Sequence, residues 1–175
     1  MIGELLRGVS NKPPPLIVGR LVLHDDERVA TWVAQRVPAL VGRFPNRMFA
    51  AIGVIDAGLE LIAAVVFHNY VPNIDVEATM AADTPRWARP DVLRGLFAYP
   101  FQTLGVKRMT CLVNEQNARC RRFVEGIGFR IEGVHDLAFD GVEAMISYGL
   151  LKQDLQFPPR NDNGQKGRPG GSSAA

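Results

Sequence analysis

"NARCRRFVEGIGFRIEG", residues 117–133, packs a helix, a corner and the start of a strand into one short stretch. Cys120, Phe123, Val124 and Ile127 fall at i, i+3, i+4 and i+7, the apolar stripe of a helix lying on a sheet. Arg119, Arg122 and Glu125 point away from that stripe. Gly126 stands where a left-handed residue would end the helix. Phe129, Ile131 and Gly133 then alternate with Arg130 and Glu132 at the period of a strand. A helix that hands directly to a strand points to an α+β fold.

Working outward, the pattern keeps switching between period two and period 3.6. "LIVGRLVLH" reads as one strand, and "DDERVATWVAQRV" as a helix with Asp25 or Asp26 as its cap and Val29, Val33 and Val37 on one face. "RMFAAIGVI" and "LELIAAVVFHNY" form a hairpin about Asp56-Ala57-Gly58, with Gly58 expected at positive φ. "NIDVEATMAA" is a further strand. "RPDVLRGLFAYPFQTL" is a helix with Pro90 at its first position, which Pro100 should kink or interrupt. "VKRMTCLV" is a strand, and "FRIEGVHDLAF" pairs with "VEAMISYGLL" about Asp140-Gly141. The order β-α-β-β-β-α-β-α-β-β predicts a mixed α/β fold, with a central mixed sheet of about seven strands and helices on both faces.

Composition bounds the rest. The chain of 175 residues, 47% of them apolar and 22% charged, suits one folded globular domain. A net charge of +2 offers no general field for nucleic acid. The two cysteines, Cys111 and Cys120, read as free thiols of a reducing, cytoplasmic compartment, and the three separated histidines show no metal-ligand spacing. No run reaches the length of a membrane span. Residues 1–15 read as an extension ending in the stiff Pro13-Pro14-Pro15 linker, 16–157 as the domain, and 158–175, rich in Gly, Pro and Ser, as a disordered tail.

Asn117, the helix after it and "GIGFRIEG", followed by "DG" and "SYGLLKQD", resemble the C-terminal half of the GNAT superfamily of acyl-CoA-dependent N-acyltransferases. The likeness extends by element order over about residues 16–155, and is nearest the branch resembling ribosomal-protein N-terminal acetyltransferases and small bacteriophage enzymes. It implies a GNAT fold that transfers an acetyl or related acyl group from acetyl-CoA to a primary amine by direct attack in a ternary complex, with no metal. The amine would be a protein N-terminus, a lysine or a small amine. A catalytically inactive GNAT module that binds a protein or nucleotide partner is the alternative. Exposed strand edges leave room for a homodimer.

The resemblance also assigns roles. Asn117 would meet the pantetheine arm in the splayed gap between the family's fourth and fifth strands, and Arg121 a nucleotide phosphate. Asn117 serves equally well as a helix cap, and Arg121 as a partner for Glu125 one turn on. The glycine-rich pyrophosphate loop of the family is missing: Arg86-Trp87-Ala88-Arg89-Pro90-Asp91 stands there, with Arg89 and Asp91 in the glycine slots. Pro90 lacks an N–H, so Arg86 and Arg89 would have to hold the pyrophosphate by charge, and Trp87 would cover the ligand or anchor the core. The backbone near Met80 and Ala81 would polarise the thioester carbonyl. Val124 occupies the slot where many members carry an acidic Tyr. Glu77 is the candidate base, because a carboxylate beside an apolar cleft can be made a better proton acceptor, or else it is an ordinary strand carboxylate. His68 and Tyr70 would line the acceptor side.

Overall fold

The computed structural model describes residues 15–37 and 50–156. Its strands are β1 (Leu16–Val18), β2 (Leu21–Leu23), β3 (Ala50–Ile55), β4 (Leu61–Val71), β5 (Asp75–Ala82), β6 (Arg108–Asn114), β7 (Arg130–His135) and β8 (Met145–Leu151). They form one mixed sheet in the order β1-β2-β3-β4-β5-β6-β8-β7. Every neighbouring pair is antiparallel except β5–β6. The helices are α1 (Asp26–Ala34), α2 (Pro90–Ala98) and α3 (Ala118–Gly126).

Side-chain alternation divides the core into two layers. On one face α1 lays Val29, Ala30 and Val33 on Ala51, Ala64 and Val66. On the other, Ile52, Val54, Ala63, Val65 and Phe67 meet Val92, Leu93, Leu96 and Phe97 of α2, together with Val124 of α3. Val29 and Val33 are fully shielded from water, and each such side chain contributes about 1.5–3 kcal/mol. The helices thus cover both faces, as expected. Burial also explains why the last strand inserts between the two before it. From Met145 to Leu150, β8 is buried on both faces apart from a half-buried Ser147, whereas β7 is exposed along nearly its whole length and takes the edge.

Three local expectations are corrected. The run Leu16–His24 is a tight hairpin, because Gly19, at φ +62°, turns the chain and adds an eighth strand. In the β3–β4 turn the positive φ falls on exposed Leu59 (+67°) and not on Gly58. Asp56 makes that possible: its Oδ1 accepts from the N–H of Gly58 (2.8 Å) and of Glu60 (3.1 Å), so the turn is held by a side chain. Gly126 lies inside α3, and the left-handed corner is Gly128, at φ +111°. Glu125 stays exposed, off the apolar stripe as expected, and accepts from the hydroxyl of buried Tyr148 at 2.9 Å. Pro100 acts as expected, since α2 stops at Ala98 and a π-helical turn, Tyr99–Thr103, follows. The expected extension, apart from Pro15, and the expected tail lie outside the described residues.

Candidate active site

β5 and β6 pair at only three positions, Asp75↔Arg108, Val76↔Met109 and Glu77↔Thr110, although β5 runs on to Ala82 and β6 to Asn114. Each strand is committed along its other edge, β5 to β4 and β6 to β8. Tied at one end and drawn apart at the other, they open a cleft through the sheet. A cavity of about 530 Å³ fills it, lined by Ala78, Thr79 and Met80, by Cys111 to Asn114, and by Asn117, Cys120 and Val124 of the α3 region. A second cavity of about 460 Å³ shares Arg36, Val37, Met80, Asn117 and Cys120 with the first and runs on past Asp83, Trp87, Arg119 and Phe123. Together they form one trough of ligand-binding size. Ala78 and Thr79 are strand neighbours on opposite faces, so the cleft meets both sides of the sheet.

Backbone geometry shows what the β5 wall offers. The N–H of Asp83 donates to Ile62 O at 3.0 Å, and the carbonyl of Ile74, at the other end, accepts from Lys107 and Arg108 next to β6. Backbone groups of an antiparallel strand alternate in direction. In the unbroken register from His68↔Glu77 to Ala63↔Ala82, Thr79 and Ala81 therefore point their N–H and C=O at β4. Val76 and Ala78 point theirs toward β6, where the Glu77↔Thr110 pair still engages the Ala78 N–H. The Ala78 C=O and both backbone groups of Met80 and Ala82 face the cleft, where no described strand meets them.

The expected site residues separate into two groups. Met80, Ala81, Trp87 and Asn117 line the trough. Of the two expected carbonyl-polarising amides, that of Met80 faces the cleft and that of Ala81 belongs to the sheet. Trp87 anchors the core, being buried against Phe123 (ring centroids 5.2 Å apart), and also walls the second cavity. Asn117 does likewise: its Oδ1 caps α3 by accepting from the N–H of Cys120 at 3.0 Å, while its NH2 bonds to none of the described residues.

Glu77, Arg86, Arg89 and Arg121 lie outside the lining. Arg86 is exposed. Arg89 bonds to Asp91 at 3.2 Å. That bond, followed by the N–H groups of Asp91 and Val92, holds the Asp91 carboxyl below its ordinary range, so the start of α2 already carries an anion of its own. Arg121 donates to Tyr148 Oη (3.3 Å) and Glu115 O (3.2 Å), and the hydroxyl of Tyr148 links it to Glu125. Glu77 accepts from Asn69 Nδ2 at 2.8 Å, and its Oε2 stands 4.0 Å from His68 Nδ1. Tyr70 is turned to Leu104 O at 3.2 Å.

Sequence reasoning missed Arg36 and Thr79. Arg36 follows α1, stacks on Trp32 with Cζ 3.5 Å from the ring centroid, and grips Asp83 with Nε–Oδ1 at 2.7 Å and Nη2–Oδ2 at 2.8 Å. The Arg36 guanidinium holds the Asp83 carboxyl below its ordinary range. A basic residue just past an amphipathic helix gives no signal of its partner far along the chain. Burial raises both thiols, Cys111 strongly, which leaves them protonated walls of the cleft. Among the described residues no cluster of His, Cys, Asp or Glu is placed to hold a metal, and no helix is long and apolar enough to cross a membrane.

No family model matches the sequence, and no curated protein matches it. Solved structures do. A probable acetyltransferase superposes with a TM-score of 0.58 at 15% identity, over 81% of this chain and 99% of its own. A GNAT-family acetyltransferase of Bacillus anthracis gives 0.55 at 16%, over 79% and 98%. The chain has the fold of a GNAT acetyltransferase. A mutant of the Vibrio cholerae spermidine N-acetyltransferase gives 0.52 at 17%, over 64% of this chain and 69% of its own. At these identities the likeness is one of fold. Because the first expected strand is a hairpin, the GNAT gap expected between the fourth and fifth strands corresponds to the β5–β6 divergence.

Proposed function

We propose that the protein is an acyl-CoA-dependent N-acyltransferase, carrying an acetyl or related acyl group to a primary amine by direct attack in a ternary complex. The observation that carries this reading is the free backbone edge that starts at the Ala78 C=O and runs through Met80 and Ala82, set over a trough that opens on both faces of the sheet. The acyl donor's pantetheine, itself an amide chain, would extend β5 by pairing with that edge. The N–H of Met80 would polarise the thioester carbonyl, and the NH2 of Asn117 would hold an amide oxygen. Trp87 and Phe123 wall the trough beyond. Arg36 and Arg119, which line it, would supply with Arg86 and Arg89 the positive charge that the missing glycine loop does not. The amine would reach the acyl carbon from the α1 face, where Thr79 lies. Cys111 and Cys120 fit a reducing cytoplasm, in which they remain thiols.

The acceptor class is a primary amine, either a small polyamine, a lysine or a protein N-terminus, the last being the choice of the branch that the opening stretch resembles. One observation favours the inactive-module reading, namely the Asp91 carboxylate at the α2 start where a phosphate would otherwise sit. Thiol release from acetyl-CoA against a panel of such amines decides between them. Amine-dependent release supports the enzyme. Binding of acetyl-CoA with no release on any amine class supports the module, and absence of binding removes the transferase.

A further inference from the structure

Behind the cleft wall, on the face shared with α1, lies a chain of polar side chains that reaches from the cavity toward solvent. Thr79 lines the larger cavity and is 7% exposed. Its Oγ1 is 2.9 Å from Nε2 of His68, a histidine that is 2% exposed in an otherwise apolar layer. On the far side of the ring, Nδ1 stands 4.0 Å from Oε2 of Glu77, which Asn69 Nδ2 holds at 2.8 Å and whose side chain is 20% exposed. His68 and Glu77 are directly opposed on β4 and β5, and Glu77 also closes the last β5–β6 pair before the cleft opens. The hydroxyl, imidazole and carboxylate are therefore in series, with only the hydroxyl in the cavity.

We propose that Thr79, His68 and Glu77 form a proton relay that deprotonates the acceptor ammonium in the cleft. The relay rests on the acyl-transfer reading and deepens it by giving Glu77 a place: the carboxylate serves the reaction through His68, since it does not itself line the cavity. An alkylammonium N–H breaks as its proton passes to Thr79 Oγ1, whose own hydroxyl proton moves to His68 Nε2. The imidazolium so formed carries its Nδ1–H on the side of the Glu77 carboxylate, which stabilises it and marks the way to water. The freed nitrogen lone pair attacks the thioester carbon, the C–N bond forms, and the C–S electron pair leaves on sulfur. Sulfur takes the nitrogen's remaining surplus proton, so the products are amide, CoA thiol and one proton on His68. Burial holds the imidazole below its ordinary range while Glu77 pulls it upward, which leaves it neutral and ready to accept.

Thr79 and His68 are acid–base groups only if their loss depends on the basicity of the acceptor. The test compares Thr79→Val, Thr79→Ser, His68→Gln and Thr79→Val/His68→Gln with the parent protein. Acceptors are an alkylamine, charged at neutral pH, and an aromatic amine, largely neutral there. On the alkylamine, Thr79→Val and His68→Gln should each lower kcat by about 100-fold, the double variant should fall no further, and KM for acetyl-CoA should stay the same. Thr79→Ser should recover most of the rate. On the aromatic amine the losses should shrink to about 5-fold or less. Equal losses on both amines, or a Thr79→Val variant as fast as the parent, overturn the relay and leave the transferase reading standing. A parent protein that transfers to neither amine, nor to any other, overturns that reading and the relay with it. Should His68→Gln not fold, the Val and Ser pair at Thr79 carries the comparison alone.

Discussion

Two glycines at the corner after α3 have opposite requirements, and their alanine variants should move stability in opposite directions. Gly128 has φ +111°, and a Cβ there would stand 2.3 Å from the carbonyl oxygen of Asp154 and 3.2 Å from Leu150 Cδ1. An L side chain at positive φ costs about 1–2 kcal/mol. Forcing the Asp154 backbone aside adds about 1–3 kcal/mol, for about 2–5 kcal/mol in all. In a chain of this size that lowers Tm by about 5–15 °C. Gly126 is helical and has nothing within 4 Å of an added Cβ. Gly126→Ala should therefore gain about 0.5–1 kcal/mol from the lost freedom of the unfolded chain, raising Tm by about 1–4 °C. Thermal unfolding of both variants with the parent protein is sufficient. A Gly128→Ala protein as stable as the parent, or a Gly126→Ala protein that loses stability as Gly128→Ala does, would refute the geometry of this corner.

Asn117 both caps α3 and lines the trough, and two variants separate the roles. Asn117→Asp keeps the cap oxygen and loses the donor, so it should unfold like the parent but bind acetyl-CoA more weakly by calorimetry; Asn117→Ala should lose that affinity and about 1 kcal/mol of stability. The Arg36–Asp83 bridge is half exposed on the Asp83 side and contributes about 0.2–1 kcal/mol. Arg36→Ala should thus shift Tm by no more than a few degrees while weakening acetyl-CoA binding in the same titration. His68 titrates below its ordinary 6.5 in the folded protein because burial opposes its charge. The unfolded chain then holds more protons in the interval below 6.5, so stability falls as pH is lowered through that interval. Urea unfolding from pH 7.5 to 5 should show that slope, and His68→Gln should flatten it.

The outline of the fold was legible because amphipathic periodicity is local. The stripe Cys120, Phe123, Val124 and Ile127 and the alternation from Phe129 record the face that each element buries. Turn chemistry was less legible, since it depends on which backbone atom a side chain reaches. Asp56 satisfies the β3–β4 turn and moves the left-handed residue from Gly58 to Leu59; contact with Asp154, distant in sequence, makes Gly128 the corner instead of Gly126. The site was legible where chain order places it, at Met80, Trp87 and Asn117. It was illegible where strand pairing creates it. Thr79 reads as an unremarkable strand residue until β4 brings His68 beside it, and Arg36 meets Asp83 only after α1 has packed across the sheet.

Residue-by-residue amide hydrogen exchange along β5, with and without acetyl-CoA, tests the transferase account at its centre. In the free protein the amides of Met80 and Ala82, which face the cleft, should exchange faster than those of Thr79 and Ala81, which bond to β4. Acetyl-CoA should slow Met80 and Ala82 selectively and leave the β1–β2 hairpin unchanged. If saturating acetyl-CoA leaves those two amides exchanging as before, or protects the whole sheet evenly, the acyl donor does not lie along the open edge of β5.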